Sequence, residues 1–278
     1  MKSSLFLTIV TAFLISEVAV AEPPYGNERS NGEKIEALPL SRNHSLAKLN
    51  VAPKENWPEP VEDEVAHAFF LAEIFEYRWN ENDDEARWDA FGWYGGDYNR
   101  VWIKSEGSAS TAESSGEGDV QLLYGRLISR YFDFQVGLRY EQLWDGNGED
   151  NSRSFAAIGV QGLAPFYFDI EPTLFVSQDG DVSARFTGTY DILLTQRLIL
   201  QPRIEGNAAV QENREFGVGS GINDIEAGIR IRYEVQREFA PYLGIVYGRT
   251  FGETKDFARL EGEDTQECSL VAGVRFWF

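Results

Sequence analysis

The end of the chain alternates apolar and polar residues and finishes with an aromatic side chain. Leu270, Ala272, Val274, Phe276 and Phe278 occupy every second position. Because alternate side chains of a β-strand lie on the same face, this segment would have one continuous apolar face. A final strand of this kind with a terminal Phe is typical of bacterial outer-membrane β-barrels. We therefore expect Phe276 and Phe278 to form the assembly signal of such a barrel.

The same alternation recurs in about twelve segments after residue 65. In one of them Ile229 and Ile231 alternate with Arg230 and Arg232. At about 10 to 14 residues, the segments are longer than most strands of soluble sheets and suit a tilted span of the bilayer. A soluble β-sandwich would show the same local alternation. The segments are roughly 66–78, 85–94, 98–107, 117–128, 131–143, 153–163, 166–177, 181–194, 196–209, 222–235, 238–250 and 267–278.

The lengths of the connections distinguish these two architectures. Connections of about three residues or fewer, such as residues 129–130 and 164–165, alternate with longer ones of about 6 to 16 residues. The short joint at residues 178–180 is the one exception. Short periplasmic turns that alternate with longer external loops are the pattern of outer-membrane barrels. The sequence thus predicts an all-β fold, a transmembrane antiparallel outer-membrane β-barrel of about 12 strands with both termini in the periplasm.

Helical architectures are disfavoured by the same part of the chain. After about residue 65 we find no stretch of 10 to 15 residues with a helical period. No later window reaches 18 apolar residues, which excludes a helical membrane protein. The charged fraction of 25% resembles that of a soluble protein. A membrane barrel can have the same composition, because its strands are apolar only at every second position.

The N-terminal part of the chain reads as a signal peptide followed by an arm. Lys2, the apolar run at residues 5–15 and the small residues Ala19 and Ala21 fit a secretory signal over residues 1–21. Residues 22–64 contain six of the ten prolines and have no sustained period. We expect a flexible periplasmic arm there, and a barrel over residues 65–278.

The net charge of −20 disfavours nucleic acid as a partner and favours cations. The single cysteine, Cys268, allows no intramolecular disulfide. It would share the outward face with Leu270.

Several motifs in a fixed order resemble the copper resistance protein B family of outer-membrane proteins, over the chain from about Arg87 to its end. The motifs are residues 160–165 (VQGLAP), 190–203 (YDILLTQRLILQPR), 217–221 (GVGSG), 227–233 (AGIRIRY), 237–242 (REFAPY) and 273–278 (GVRFWF). The resemblance implies a barrel of a periplasmic copper-tolerance system that handles copper ions, with a periplasmic multicopper oxidase of the same system as a partner.

Members of that family commonly carry an arm rich in Met and His, ligands that copper prefers. Here Met1 is the only methionine, and His44 and His67 are the only histidines. A nitrogen-plus-carboxylate copper site could be formed by His67 with Glu62, Asp63 and Glu64. The alternative is that His67 is an exposed side chain without a ligand.

Charged residues on the polar faces of the segments are candidates for the lumen of the barrel. They would either pair with one another as a structural network or line a weakly cation-selective path that includes Asp169, Glu171, Asp191, Glu205 and Glu226. The lumen candidates are Asp133, Arg139, Glu141, Asp169, Glu171, Arg185, Asp191, Arg203, Glu205, Glu226, Arg230, Arg232 and Arg275.

Enzymatic activity is not expected. Barrel hydrolases use a histidine base next to a nucleophile, and neither histidine lies within a predicted strand interior or an outer loop.

The loop at residues 145–150 begins like a calcium loop but has Asp150 where that pattern needs Gly, and Ala156 where it needs Glu. The glycines at 217, 219 and 221 predict a flexible loop.

The sequence therefore predicts a barrel in the outer membrane, in contact with lipopolysaccharide, that lowers periplasmic copper by binding or exporting it. The alternative is a structural or general small-solute barrel without copper specificity.

Overall fold

A computed structural model describes residues 65–80, 84–111, 115–144, 151–262 and 264–278. The predicted signal peptide, the arm with Glu62, Asp63, Glu64 and His44, and the acidic loop at residues 145–150 lie outside these ranges. None of the helices within the described ranges has the length and apolar character needed to cross a membrane.

The described chain is built almost entirely from antiparallel strands. Their bounds are β1 (His67–Trp79), β2 (Glu85–Gly95), β3 (Asn99–Ser110), β4 (Gly116–Ser129), β5 (Phe132–Trp144), β6 (Asn151–Ala164), β7 (Phe168–Ser177), β8 (Val182–Tyr190), β9 (Ile192–Leu193), β10 (Leu198–Ala209), β11 (Gly221–Tyr233), β12 (Phe239–Thr250) and β13 (Gln266–Trp277).

The sheet closes on itself. Strands β1 to β8 pair in chain order, as do β10 to β13; β8 and β9 both pair with β10, and β13 pairs with β1. The two residues of β9 continue β8 in the same register against β10. The interruption falls near Tyr190, where the register places Pro202, which has no backbone N–H to donate. The architecture is therefore a closed barrel of twelve strands, one of them interrupted, and the predicted fold is confirmed.

The barrel is apolar outside and polar inside. Ile229 on β11 is 55% exposed, whereas its neighbour Arg230 is 2% exposed. On β12 Leu243 is 64% exposed and Tyr242 5%. This inverts the usual arrangement of a soluble protein and suits a hydrocarbon surrounding.

The two ends of the barrel differ in their connections, as predicted. At one end, which we call the turn rim, the strands are joined by two to five residues, and the chain ends there at Phe278. At the other end, the loop rim, the connections contain four to fifteen residues. The turns at residues 194–197 and 234–238 are longer than the three residues that were expected.

A β-bulge at Glu73 changes the alternation of β1. Leu71 pairs with Phe91 and Ile74 with Asp89, so β1 contains one residue more than β2 at this point. The same extra residue appears against β13 between Ala72 and Glu76.

One helix, α1 (Gly252–Glu261), lies between β12 and β13. This helix was not predicted from the sequence, which shows no helical period after residue 65. The helix has ten residues, of which only Ala258 is both hydrophobic and buried, so no apolar period reveals it. It ends at Gly262, whose φ of 84° allows the backbone N–H to bond to the carbonyls of Ala258 and Arg259.

Candidate functional site in the barrel interior

The carboxylate of Glu76 is a buried centre of the lumen. Arg230 of β11 donates to its two oxygens at 2.9 and 2.8 Å. Arg78 donates to it at 2.9 Å and the Tyr242 hydroxyl at 3.0 Å. All four side chains are buried. A buried carboxylate retains its charge only when hydrogen-bond donors surround it. Here three hydrogen bonds from arginines and one from a tyrosine hydroxyl do so.

Two further glutamates extend this cluster across the lumen. Glu226 accepts hydrogen bonds from Arg78 at 2.8 and 3.1 Å and from Arg87 at 2.7 Å. Arg87 also donates to Glu205 at 3.0 Å, and Arg203 lies 3.0 Å from the same Glu205 oxygen.

These contacts join opposite walls of the barrel. Arg203 on β10 donates to Asp89 on β2 at 3.0 Å, although four strands separate β10 from β2 in the shorter direction. Arg185 on β8 forms an ion pair with Glu106 on β3. The lumen is therefore bridged by side chains, which we call the central network.

The central network continues toward the loop rim along β4, β5 and β6. Arg139 lies 2.7 Å from Asp119 and 2.9 Å from Glu141. Glu141 also pairs with Arg153. The guanidinium of Arg139 lies over the rings of Phe155 and Phe175 at 5.3 and 4.6 Å. These rings exclude water around the ion pairs and so strengthen them.

On the turn-rim side of Arg203, a polar cavity of about 50 Å³ remains between the walls. Lys104 donates to Glu171 at 2.6 Å and to Gln161 at 2.9 Å beside it. Glu73 and Asp169 also line this cavity. The volume has room for only a few water molecules.

Aromatic residues form one wall of the lumen near the turn rim. The rings of Phe91 and Trp102 are 5.7 Å apart, and those of Trp93 and Trp102 are 6.3 Å apart. The guanidinium of Arg100 lies 4.5 Å from the centre of the Trp93 ring and pairs with Asp133 at 3.1 Å.

The structure brings most of the predicted lumen residues into ion pairs. Asp133, Arg139, Glu141, Glu171, Arg185, Arg203, Glu205, Glu226 and Arg230 have the partners given above. Asp191 accepts a hydrogen bond from Arg232 at 2.8 Å. Asp169 is exposed beside the polar cavity. Arg275 is half-buried, and its Nε has no hydrogen-bond partner among the described residues. Whether these residues act on an ion stays a prediction.

No preformed metal centre is visible in the described ranges, where no three His, Cys, Asp or Glu side chains come together as ligands. His67 is exposed at the turn rim and pairs with Gly95 through the backbone. Its predicted partners Glu62, Asp63 and Glu64 fall outside the described residues. Cys268 is exposed next to Tyr247 of β12.

Sequence reasoning missed the residues that β1 to β4 contribute. They are Glu76, Arg78, Arg87, Asp89, Lys104, Glu106 and Asp119. In β1 the bulge at Glu73 interrupts the period. In β2 the outward Trp88 and the inward Phe91 make both faces look apolar. Arg87 and Asp89 are two positions apart and therefore share one face of β2, so their charges could have identified its lumen face from the sequence.

The glycine-rich loop before β11 lies against α1, and its predicted flexibility stays a prediction. The backbone N–H of Gly219 donates to Thr254 Oγ1 at 2.9 Å, and Ser220 donates to Glu253 twice. A Cβ on Gly219 would lie 2.4 Å from the Thr254 nitrogen. Only glycine permits this close contact with α1.

A closed barrel with an apolar exterior and a charged, bridged interior defines an outer-membrane-type transmembrane β-barrel. The family described as Copper resistance protein B precursor (CopB) matches residues 66–278. The chain belongs to this family, which connects it with copper resistance.

Two similar proteins have related names. Copper resistance protein B of Escherichia coli is 38% identical over 218 residues, which are 78% of this chain and 72% of that protein. The Copper resistance protein B homolog of Pseudomonas syringae pv. tomato (strain ATCC BAA-871 / DC3000) is 37% identical over 219 residues, with coverage of 78% and 72%.

Among solved structures, the chain is similar to the NanC porin, with 14% identity and a TM-score of 0.48 over 76% of this chain and 99% of that one. The KdgM porin has 11% identity and a TM-score of 0.45, with coverage of 76% and 99%.

Proposed function

We propose that this protein resides in the outer membrane and lowers periplasmic copper, either by holding copper ions or by passing them outward. The observation that carries the proposal is the family match over residues 66–278. The alternation of short turns and longer loops supports an orientation with the turn rim in the periplasm. Export by the predicted signal peptide at residues 1–21 would deliver the chain there, with residues 22–64 as a periplasmic arm.

The distribution of charge favours entry of a cation from the turn rim. Asp169 and Asp191 are exposed on that side of the lumen. Deeper in the lumen, Glu205 and Glu226 are already paired with arginines. A copper ion would therefore meet the exposed carboxylate of Asp169 first, together with that of Asp191, which is bonded to Arg232, and then the central network. Oxygen ligands of this kind suit Cu(II) better than Cu(I), which prefers sulfur.

The central network would block the passage of an ion through the lumen unless its contacts rearrange. The contacts of Arg185 and Arg203 bridge opposite walls, so an ion would cross only after these contacts rearrange. Without such a rearrangement, the protein would hold ions on the periplasmic side and transfer them to a partner. A periplasmic multicopper oxidase of the same system would be such a partner.

The competing function is a structural or general small-solute barrel that handles no copper. It is favoured by the extensive pairing of lumen charges and by the lack of a three-ligand cluster in the part of the chain that the structure describes. Under this alternative the central network would serve stability alone.

A copper titration of the refolded mature chain, residues 22–278, separates the two functions. We expect Cu(II) to bind more tightly than Zn(II) or Ca(II) and to bind more weakly after Asp169→Asn. The matched control is Asp256→Asn, which changes an exposed aspartate on α1. Equal affinity for all three ions would contradict the copper proposal.

Growth at elevated copper provides the cellular counterpart. A strain that lacks the gene should become more sensitive to copper than to zinc, and the wild-type gene should restore its tolerance. Unchanged copper tolerance would favour the structural alternative.

A further inference from the structure

The loop between β10 and β11 extends across the loop rim. The ring of Phe216 lies 4.1 Å from the guanidinium of Arg153 on β6. In the barrel, β7 and β8 separate β6 from β10. With adjacent strands about 4.8 Å apart, the loop spans roughly 14 Å of the rim, measured along the barrel wall.

The turn between β7 and β8 holds the same loop from below. Asn213 donates a hydrogen bond to Asp181 at 3.1 Å. The backbone N–H of Val182 donates to the Gln211 side chain at 2.9 Å. The loop is thus tied to strands that it passes over.

On the opposite side, the loop is anchored to α1. Thr254 Oγ1 accepts from the N–H of Gly219 and, at 2.8 Å, from the amide of Asn223. The Arg214 guanidinium lies 5.6 Å from the Phe257 ring. The loop and the helix therefore move together or separate at these contacts.

The contact at Phe216 is also linked to the interior. Arg153 pairs with Glu141 and lies over the ring of Phe155 at 5.1 Å. Glu141 belongs to the central network through Arg139. A movement of Phe216 would free one side of Arg153 and so affect the outer end of this network.

We propose that residues 210–220 and α1 form a lid over the loop rim, and that the contact of Phe216 with Arg153 is its latch. The contacts with α1 are few: two exposed hydrogen bonds of Ser220 with Glu253, two part-buried hydrogen bonds to Thr254, and the ring contact of Arg214 with Phe257. The lid therefore opens without unfolding of the barrel, as regions with few buried contacts do. This inference concerns access to the lumen and does not depend on which solute the protein handles.

A cysteine reporter beneath the lid tests the proposal. Ser183 on β8 faces the lumen, because it pairs with the buried, inward Phe175 of β7. We would introduce Ser183→Cys together with Cys268→Ser and measure the rate of reaction with a charged maleimide in reconstituted vesicles. Phe216→Ala removes the latch, and Gly219→Ala pushes the loop away from α1, so each should raise this rate several-fold.

Gly96→Ala is the matched control. It adds the same methyl group at the turn rim, where a Cβ would meet nothing within 4 Å, and it should leave the rate unchanged. Heat-modifiable gel mobility would restrict the measurement to folded barrels. Because the two lid variants act at different contacts, the loss of one by misfolding leaves the other informative. Equal rates in the parent and in the folded lid variants would overturn the proposal, as would an equal rise in the control.

Discussion

At the scale of single residues, Glu76 is the carboxylate whose loss should be most damaging. It is the common acceptor for Arg78, Arg230 and Tyr242. Glu76→Ala would leave two buried guanidinium groups without this partner, and breaking a buried ion pair costs about 3–5 kcal/mol. We expect a loss of this order in the free energy of unfolding, measured with urea on the refolded barrel. Glu238→Ala, at an exposed position of the turn rim, should change it little, and a comparable loss in both would contradict the assignment.

The carboxylate of Glu253 predicts a dependence of the lid on pH. Hydrogen bonds from the backbone and hydroxyl of Ser220 lower the pKa of Glu253 below its ordinary value of 4.5. A lowered pKa means that the contact stabilises the lid above about pH 4.5 and is lost as the pH falls through the folded-state value. The labelling rate at Ser183→Cys, divided by that of free cysteine at the same pH, should therefore rise under acid conditions. Glu253→Gln should remove this rise, and its persistence would show that another group is responsible.

At the scale of elements, the seam between β1 and β13 closes the barrel at its last residue. Phe278 exchanges backbone hydrogen bonds with Phe70 at 2.9 and 3.1 Å, and the two rings stack at 5.2 Å. We expect Phe278→Ala to lower the fraction of chain assembled in the outer membrane, because it weakens both the seam and the predicted assembly signal. Heat-modifiable mobility of membrane fractions measures this. Phe166→Ala, at an exposed turn aromatic, is the control, and an equal loss there would speak against a special role of the last residue.

The alternation of the sequence predicted the strands but could not reveal every element. In β11, Ile229 and Arg230 have opposite environments, and this polarity is written directly in the residue order. The bulge at Glu73, by contrast, could not be recognised from the residue order. Its extra residue shifts the alternation by one position, so the polar residues on either side of it no longer share one period. The helix α1 was missed because Ala258 is its one buried hydrophobic residue, so the sequence shows no apolar helical period there.

At the scale of the whole molecule, the central network predicts a poorly conducting barrel. Arg185 bridges β8 to Glu106 of β3 and lies 3.8 Å from Asp119. Arg185→Ala removes this crossing and leaves Glu106 without this partner, whereas Asp119 keeps Arg139 at 2.7 Å, so cation conductance through planar bilayers should increase. Arg249→Ala, on β12 at the loop rim, serves as the control. A conductance that is high before any substitution would contradict a closed lumen.

The sequence identified many lumen charges but could not identify their partners. Arg203 was predicted to face inward, yet its contact with Asp89 lies on the opposite wall, 114 residues away in the chain. Which residues meet there depends on the tilt and stagger of all twelve strands. No local pattern contains that information.

The bulge in β1 also determines where this barrel tolerates a change in length. Loss of one residue elsewhere in β1 would turn part of the strand over and carry buried Glu76 and Arg78, or apolar neighbours, to the wrong face. Loss of Glu73 alone would restore regular pairing with β2 and leave the other side chains on their present faces. Natural length variation among related chains should therefore gather at this residue.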